Sequence, residues 1–129
     1  MINKLVVSAF ILACSISNPI FATTLNLVSM TGDKIMDGIY EIQKTDPKEW
    51  RSADGTITGH KIVSNTTPSI VPGVHTYQGL QIFTKKGQPP LKVHFTGVKV
   101  SKSQEYGTFL KIDSKTGKIT GYGHYTYDK

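Results

Sequence analysis

From residue 24 onward, apolar residues recur at every second position in short runs, and no stretch carries them at the spacing of an amphipathic helix. Residues 24–30 alternate and predict an opening strand, closed by a turn at Thr31-Gly32-Asp33-Lys34. Residues 39–44 predict a second strand, entered through Asp37-Gly38. Residues 56–63 and 74–84 predict two more, with Gly79 marking a bulge. Leu91, Val93 and Phe95 point one way, while Lys92, His94 and Thr96 point the other. After Gly97 the apolar phase passes to Val98 and Val100, which predicts a second bulge. Leu110 and Ile112 lead into Asp113-Ser114-Lys115-Thr116-Gly117, and Ile119 leads out, a hairpin whose Asp bonds its own backbone and whose Gly supplies the positive φ.

Two segments break the pattern. Asp46 followed by Pro47 can cap and begin a helix, so at most one short helical turn is expected between Pro47 and Trp50. Residues 65–73, with Pro68 and Pro72, predict the longest irregular stretch, because proline cannot donate to a central ladder. About seven strands without crossover helices imply an all-β domain. The expected architecture is a single antiparallel β-sandwich, with a small closed β-barrel as the alternative.

The first 22 residues carry a different pattern. A short positive start at Lys4 precedes an apolar run from Leu5 to Ala13, and Ala22 offers a small residue for cleavage, the layout of a bacterial export signal. The apolar run is too short to span a bilayer. Residues 1–22 are therefore read as a signal peptide and residues 23–129 as one secreted or periplasmic β domain with no transmembrane segment. Ile11-Leu12-Ala13-Cys14 also resembles the lipobox of bacterial lipoproteins, and the alternative is an outer-membrane lipoprotein anchored through Cys14. Cys14 is the only cysteine in the chain, so cleavage after Ala22 leaves a domain that must rely on packing, an ion or a partner rather than on disulfides.

Charge is uneven. The whole chain carries +6, yet residues 33–54 hold six acids against four basic residues, while residues 61–129 hold ten lysines against three acids. The basic charge is lysine except for Arg51. Sequence-specific nucleic-acid readers favour the bidentate arginine fork, so no such partner is expected. Lysine charge suits an anionic lipid, a glycan or a protein surface, met by charge rather than by fit.

The candidate chemistry is that of a binder. His75, His94 and His124, with His60, fall on separate strands and are the candidates for a metal site, but none has the spacing of a ligand pair. No serine sits in a nucleophile elbow, and no glycine-rich phosphate loop precedes a helix. No cofactor and no catalysis are expected; a His-based metal binder or a minor hydrolase is the alternative. The C-terminal run Tyr122-Gly123-His124-Tyr125-Thr126-Tyr127 places tyrosines on both faces of a strand, one for the core and one for a ligand. Tyr122, His124, Tyr125, Tyr77, Trp50, Lys85 and Lys86 are the candidate ligand-binding residues of a non-catalytic module for an envelope or host-surface ligand.

Overall fold

The structure is a computed structural model that describes residues 23–129. The export signal and Cys14 lie outside the described residues. Eight strands follow one another: β1 (Thr24–Ser29), β2 (Gly38–Asp46), β3 (Glu49–Ser52), β4 (Ile57–Pro68), β5 (His75–Lys85), β6 (Leu91–Lys99), β7 (Gln104–Asp113) and β8 (Ile119–Asp128). Each pairs antiparallel with its chain neighbours, and β8 returns to pair with β1, Leu27 opposite Tyr125, so the sheet closes into an up-and-down barrel.

Closure corrects the sandwich expectation in favour of the barrel. A sandwich needs two sheets and strands that cross between them; here every connection is a hairpin, and the β1–β8 ladder leaves one continuous sheet. The strand count rises from seven to eight because residues 49–52 form a strand. Asp46 does cap, but in a hairpin turn: its Oδ1 accepts the N–H groups of Lys48 at 2.8 Å and Glu49 at 3.0 Å. No helix is present among the described residues.

An eight-stranded barrel leaves an interior that side chains just fill, or one small ligand. Alternation divides the chain accordingly. Leu25, Leu27, Tyr40, Ile42, Trp50, Ile57, Phe83, Val93, Phe95, Phe109 and Tyr125 point inward and form the core. The aromatic rings run as a chain: Trp50 edge-on to Phe83 at 5.2 Å, Phe83 to Phe95 at 5.7 Å and Phe95 to Tyr125 at 4.8 Å. Full burial of each such ring contributes about 1.5–3 kcal/mol.

The predicted bulges move. β6 pairs without a register shift on either side, so the apolar residues after Gly97 simply lie on the outer face. Gly97 is opposite Gly107 because the Tyr125 hydroxyl and the Tyr106 backbone occupy the space a Cβ would need. β5 takes its shift not at Gly79 but through its partner, between Lys61 and Val63 of β4. β4 also runs on through Pro68, where irregular chain was expected. Pro68 is tolerated because the edge of β4 facing away from β5 has no strand beside it there. The 113–117 hairpin forms as expected, with Asp113 Oδ1 accepting Lys115 N–H at 2.8 Å and Gly117 at φ 74°.

The two ends of the barrel differ. At one, residues 30–37 fold across the opening and bury Met36, whose carbonyl accepts the Tyr40 hydroxyl at 2.9 Å. Beneath this plug lies Lys111, only 2% exposed, whose Nζ donates to Ser29 Oγ at 3.0 Å and to the Asp33 carbonyl. Asp37 completes the network by accepting both the hydroxyl and the backbone N–H of Ser29. The other end stays open.

Candidate functional site

At the open end the inward phase of the strands continues beyond the hydrophobic core into polar residues. Lys44 follows Tyr40 and Ile42 on β2, Lys61 follows Ile57 and Gly59 on β4, and Lys99 follows Val93, Phe95 and Gly97 on β6. Glu105 precedes Gly107, Phe109 and Lys111 on β7. These side chains, with Lys102 and Lys129, rim a cavity of about 130 Å³ whose apolar walls are Leu25, Ile42, Trp50 and Phe95. That volume is close to the roughly 150 Å³ known to admit one benzene ring, so the enclosed part suits a single ring or a small head group.

The floor is fixed by hydrogen bonds. Trp50, 4% exposed, donates its Nε1–H to Gln81 Oε1 at 2.9 Å. Trp50 can lie there because its partner residue on β4 is Gly59, where a Cβ would collide with the indole. The Tyr125 hydroxyl donates to Glu105 Oε2, and Ser64 Oγ donates to the Tyr77 hydroxyl at 3.3 Å. Among the described residues every buried side-chain polar atom has a partner, so the floor is preorganised rather than strained.

Cationic side chains outnumber anionic ones around the cavity. Five lysines and two glutamates line the cavity. The single ion pair found among the described residues is His60 with Glu49, at 3.1 Å, so none of the lysines has a carboxylate within 4 Å. Lys99 instead places its Nζ 5.0 Å from the centre of the Tyr77 ring. Burial holds the Lys61 ammonium below its ordinary range; Lys44, Lys99 and Lys129 push it the same way and Glu105 opposes them. Burial likewise raises the phenols of Tyr77 and Tyr127. Tyr125 is raised well above the tyrosine range, first by burial, then by its hydrogen bond to Glu105 and the charge there. These phenols are therefore neutral donors at physiological pH.

Of the residues singled out in the sequence, Trp50, Tyr77 and Tyr125 converge on this cavity. Tyr122 and His124 do not: they lie on the outer face of β8, Tyr122 beside Leu110 and His124 between Thr108 and Val28. Lys85 and Lys86 stand at the plugged end, where Lys85 Nζ donates to the Ile35 carbonyl at 2.6 Å. The histidines stay apart. His94 sits on the outside of β6 between Leu80 and Leu110, and His75 at the outer end of β5 opposite Pro68 and Lys99. No cluster of three or more His, Cys, Asp or Glu residues able to hold a metal occurs among the described residues.

Sequence reasoning missed Lys44, Lys61, Lys99, Lys102, Lys129, Gln81, Glu105 and Tyr127. The signal was present for six of them, since Lys44, Lys61, Gln81, Lys99, Glu105 and Tyr127 share the phase of the core residues on their strands. Among the described residues no helix is long and apolar enough to cross a membrane. Comparison with protein-family models, with curated proteins and with solved structures finds no match to this chain.

Proposed function

We propose that this protein is a non-catalytic binding module whose open barrel end captures the anionic terminal group of an envelope or host-surface ligand outside the inner membrane. The observation that carries this reading is the set of five lysines, none paired with a carboxylate, around a cavity with aromatic and aliphatic walls. A row of like charges held together without partners raises the energy of the empty protein, and an anion relieves it. Trp50, Tyr77 and Phe95 give the ligand's apolar body a surface to stack on, while the second carboxylate oxygen of Glu105 can accept a hydrogen bond from one of its hydroxyl groups.

The polar groups at the cavity floor are already engaged with one another, and no histidine lines it. This arrangement positions a ligand and supplies no nucleophile with a partnered base, which favours binding over turnover. The test is a matched panel: phenyl phosphate against benzyl alcohol, and glucuronate against glucose. The anionic member of each pair is expected to raise the melting temperature and the neutral one to leave it unchanged. Equal shifts within each pair, or none, contradict the reading.

A further inference from the structure

The wall of the mouth is not level. The last partner of β4 on β3 is His60, opposite Glu49, and the Lys61 N–H still reaches the Lys48 carbonyl at 2.7 Å. Beyond that point β4 continues to Pro68 with β5 as its only paired strand. Some seven residues at about 3.3 Å each make an arm that runs on for roughly 23 Å past the β2–β3 hairpin. From Ile62 to Thr84 the chain contains no Asp, Glu, Lys or Arg, although charged residues make up 19% of the whole.

The arm ends in an ordered apolar tip. Ser69 N–H donates to the Val74 carbonyl at 3.0 Å and Val74 N–H to the Val71 carbonyl at 3.1 Å, closing the turn around Pro72. Ile70 is 102% exposed at this turn, with Val71 exposed beside it and Ile62 and Val63 exposed along the arm. Folding gains nothing from Ile70, which buries none of its surface. Exposed aliphatics gathered on one projecting element mark a contact surface.

The tip and the lysine-rimmed mouth occupy the same end of the barrel. A negatively charged bilayer complements both: its surface potential draws in lysines, and its interface accepts a few aliphatic side chains. Neither attraction alone gives firm attachment, and two together do. We propose that the β4–β5 arm sets Ile70 and Val71 into the interface of an anionic lipid bilayer, while the mouth takes the phosphate of a lipid head group. The head-group half rests on the reading of the mouth as an anion site; the tip half stands on the arm alone.

The test is co-sedimentation of the intact protein with vesicles of phosphatidylcholine, alone or mixed with phosphatidylglycerol, combined with Trp50 fluorescence during titration with soluble phenyl phosphate. Trp50 is the only tryptophan in the chain and lines the cavity, so its emission reports the mouth directly. Wild type is expected to pellet with phosphatidylglycerol vesicles, and high salt to weaken this by screening. Ile70→Ser combined with Val71→Ser leaves the charge unchanged; it is expected to lose more than about tenfold in vesicle binding and to keep the phenyl phosphate response. Lys99→Ala combined with Lys102→Ala is expected to lose roughly fivefold per lysine on vesicles and to weaken the phenyl phosphate response as well.

Vesicle binding by the tip variant equal to wild type overturns the proposal, as does equal binding to neutral and anionic vesicles. If the tip variant instead changes only the molar mass measured by light scattering without lipid, the tip's partner is a second copy and the bilayer proposal fails. Tip-dependent vesicle binding with no phenyl phosphate response overturns the mouth as an anion site and the head-group half with it.

Discussion

Lys111 and Lys99 occupy equivalent inward positions at opposite ends of one barrel, and their surroundings could hardly differ more. Lys111 is sealed beneath residues 30–37, with its ammonium bonded to Ser29 and the Asp33 carbonyl, and with Asp37 bound to the same serine. Lys99 stands at an open rim beside Lys61 and Lys102 and above the Tyr77 ring, with no carboxylate within 4 Å. Burying an ammonium is costly unless it finds hydrogen-bond acceptors. At the plugged end the acceptors are built in, so the charge serves the fold. At the open end the chain gathers lysines with no carboxylate within 4 Å, the arrangement on which the proposed anion site rests.

Mutations at the two ends are therefore expected to act on different quantities. The largest effect is Lys111→Ala, which strips the Ser29 hydroxyl and the Asp33 carbonyl of their donor. A loss of about 3 kcal/mol in unfolding free energy is expected, read by urea denaturation, with the affinity of the remaining folded protein for phenyl phosphate unchanged. An Lys111→Ala protein as stable as wild type would mean that the plug does not depend on its charge.

Next comes Lys61→Ala combined with Lys99→Ala. An affinity loss of ten- to a hundredfold is expected, from about 1–3 kcal/mol of charge-assisted contact removed. Stability should stay within about 0.5 kcal/mol of wild type or rise, since like charges have been separated. Calorimetric titration and denaturation of the same samples make the comparison.

pH sharpens the contrast further. The folded pKa of Lys61 lies below the unfolded value of 10.5, chiefly because of burial, so the unfolded chain binds more protons as pH rises through that window. Lys61 thus contributes a destabilisation that is present at neutral pH and relieved as pH climbs from its folded pKa towards 10.5. Ligand affinity should fall over the same range as the ammonium is lost. Opposite slopes of stability and affinity below about pH 10 are expected; above it the tyrosines Tyr77, Tyr125 and Tyr127, protected from ionisation in the folded barrel, turn stability downward. Parallel slopes below that point would remove Lys61 from the site. The smallest effect is Tyr122→Ala or His124→Ala on the outer wall, where affinity should not move and stability should change by less than about 0.5 kcal/mol.

The sequence announced the longer strands well because each is a local pattern, alternation over six or more residues, and a turn such as Asp113 to Gly117 has its own hydrogen bonds; the four-residue β3 was too short to show one. Barrel closure was not legible, since the pairing of Leu27 with Tyr125 joins residues ninety-eight positions apart and leaves the same alternation a sandwich would. Pro68 misled because proline forbids a central ladder but not an edge, and which strand is an edge is a property of the whole sheet. Trp50, Tyr77 and Tyr125 were legible as aromatic residues of unusual value. The rim lysines were legible only as part of a diffuse basic charge that suits an anionic partner, not as members of one site. Their phase was the better guide, for Lys44, Lys61 and Lys99 each continue the inward row of their own strand.

The most direct test of the account is Trp50 emission during titration with phenyl phosphate, in wild type and in the Lys61→Ala, Lys99→Ala double variant. A saturable change in wild type, shifted to at least about tenfold higher ligand in the variant, is the predicted result. A flat titration, or identical curves for the two proteins, would contradict the claim that the open end of this barrel is an anion-binding site.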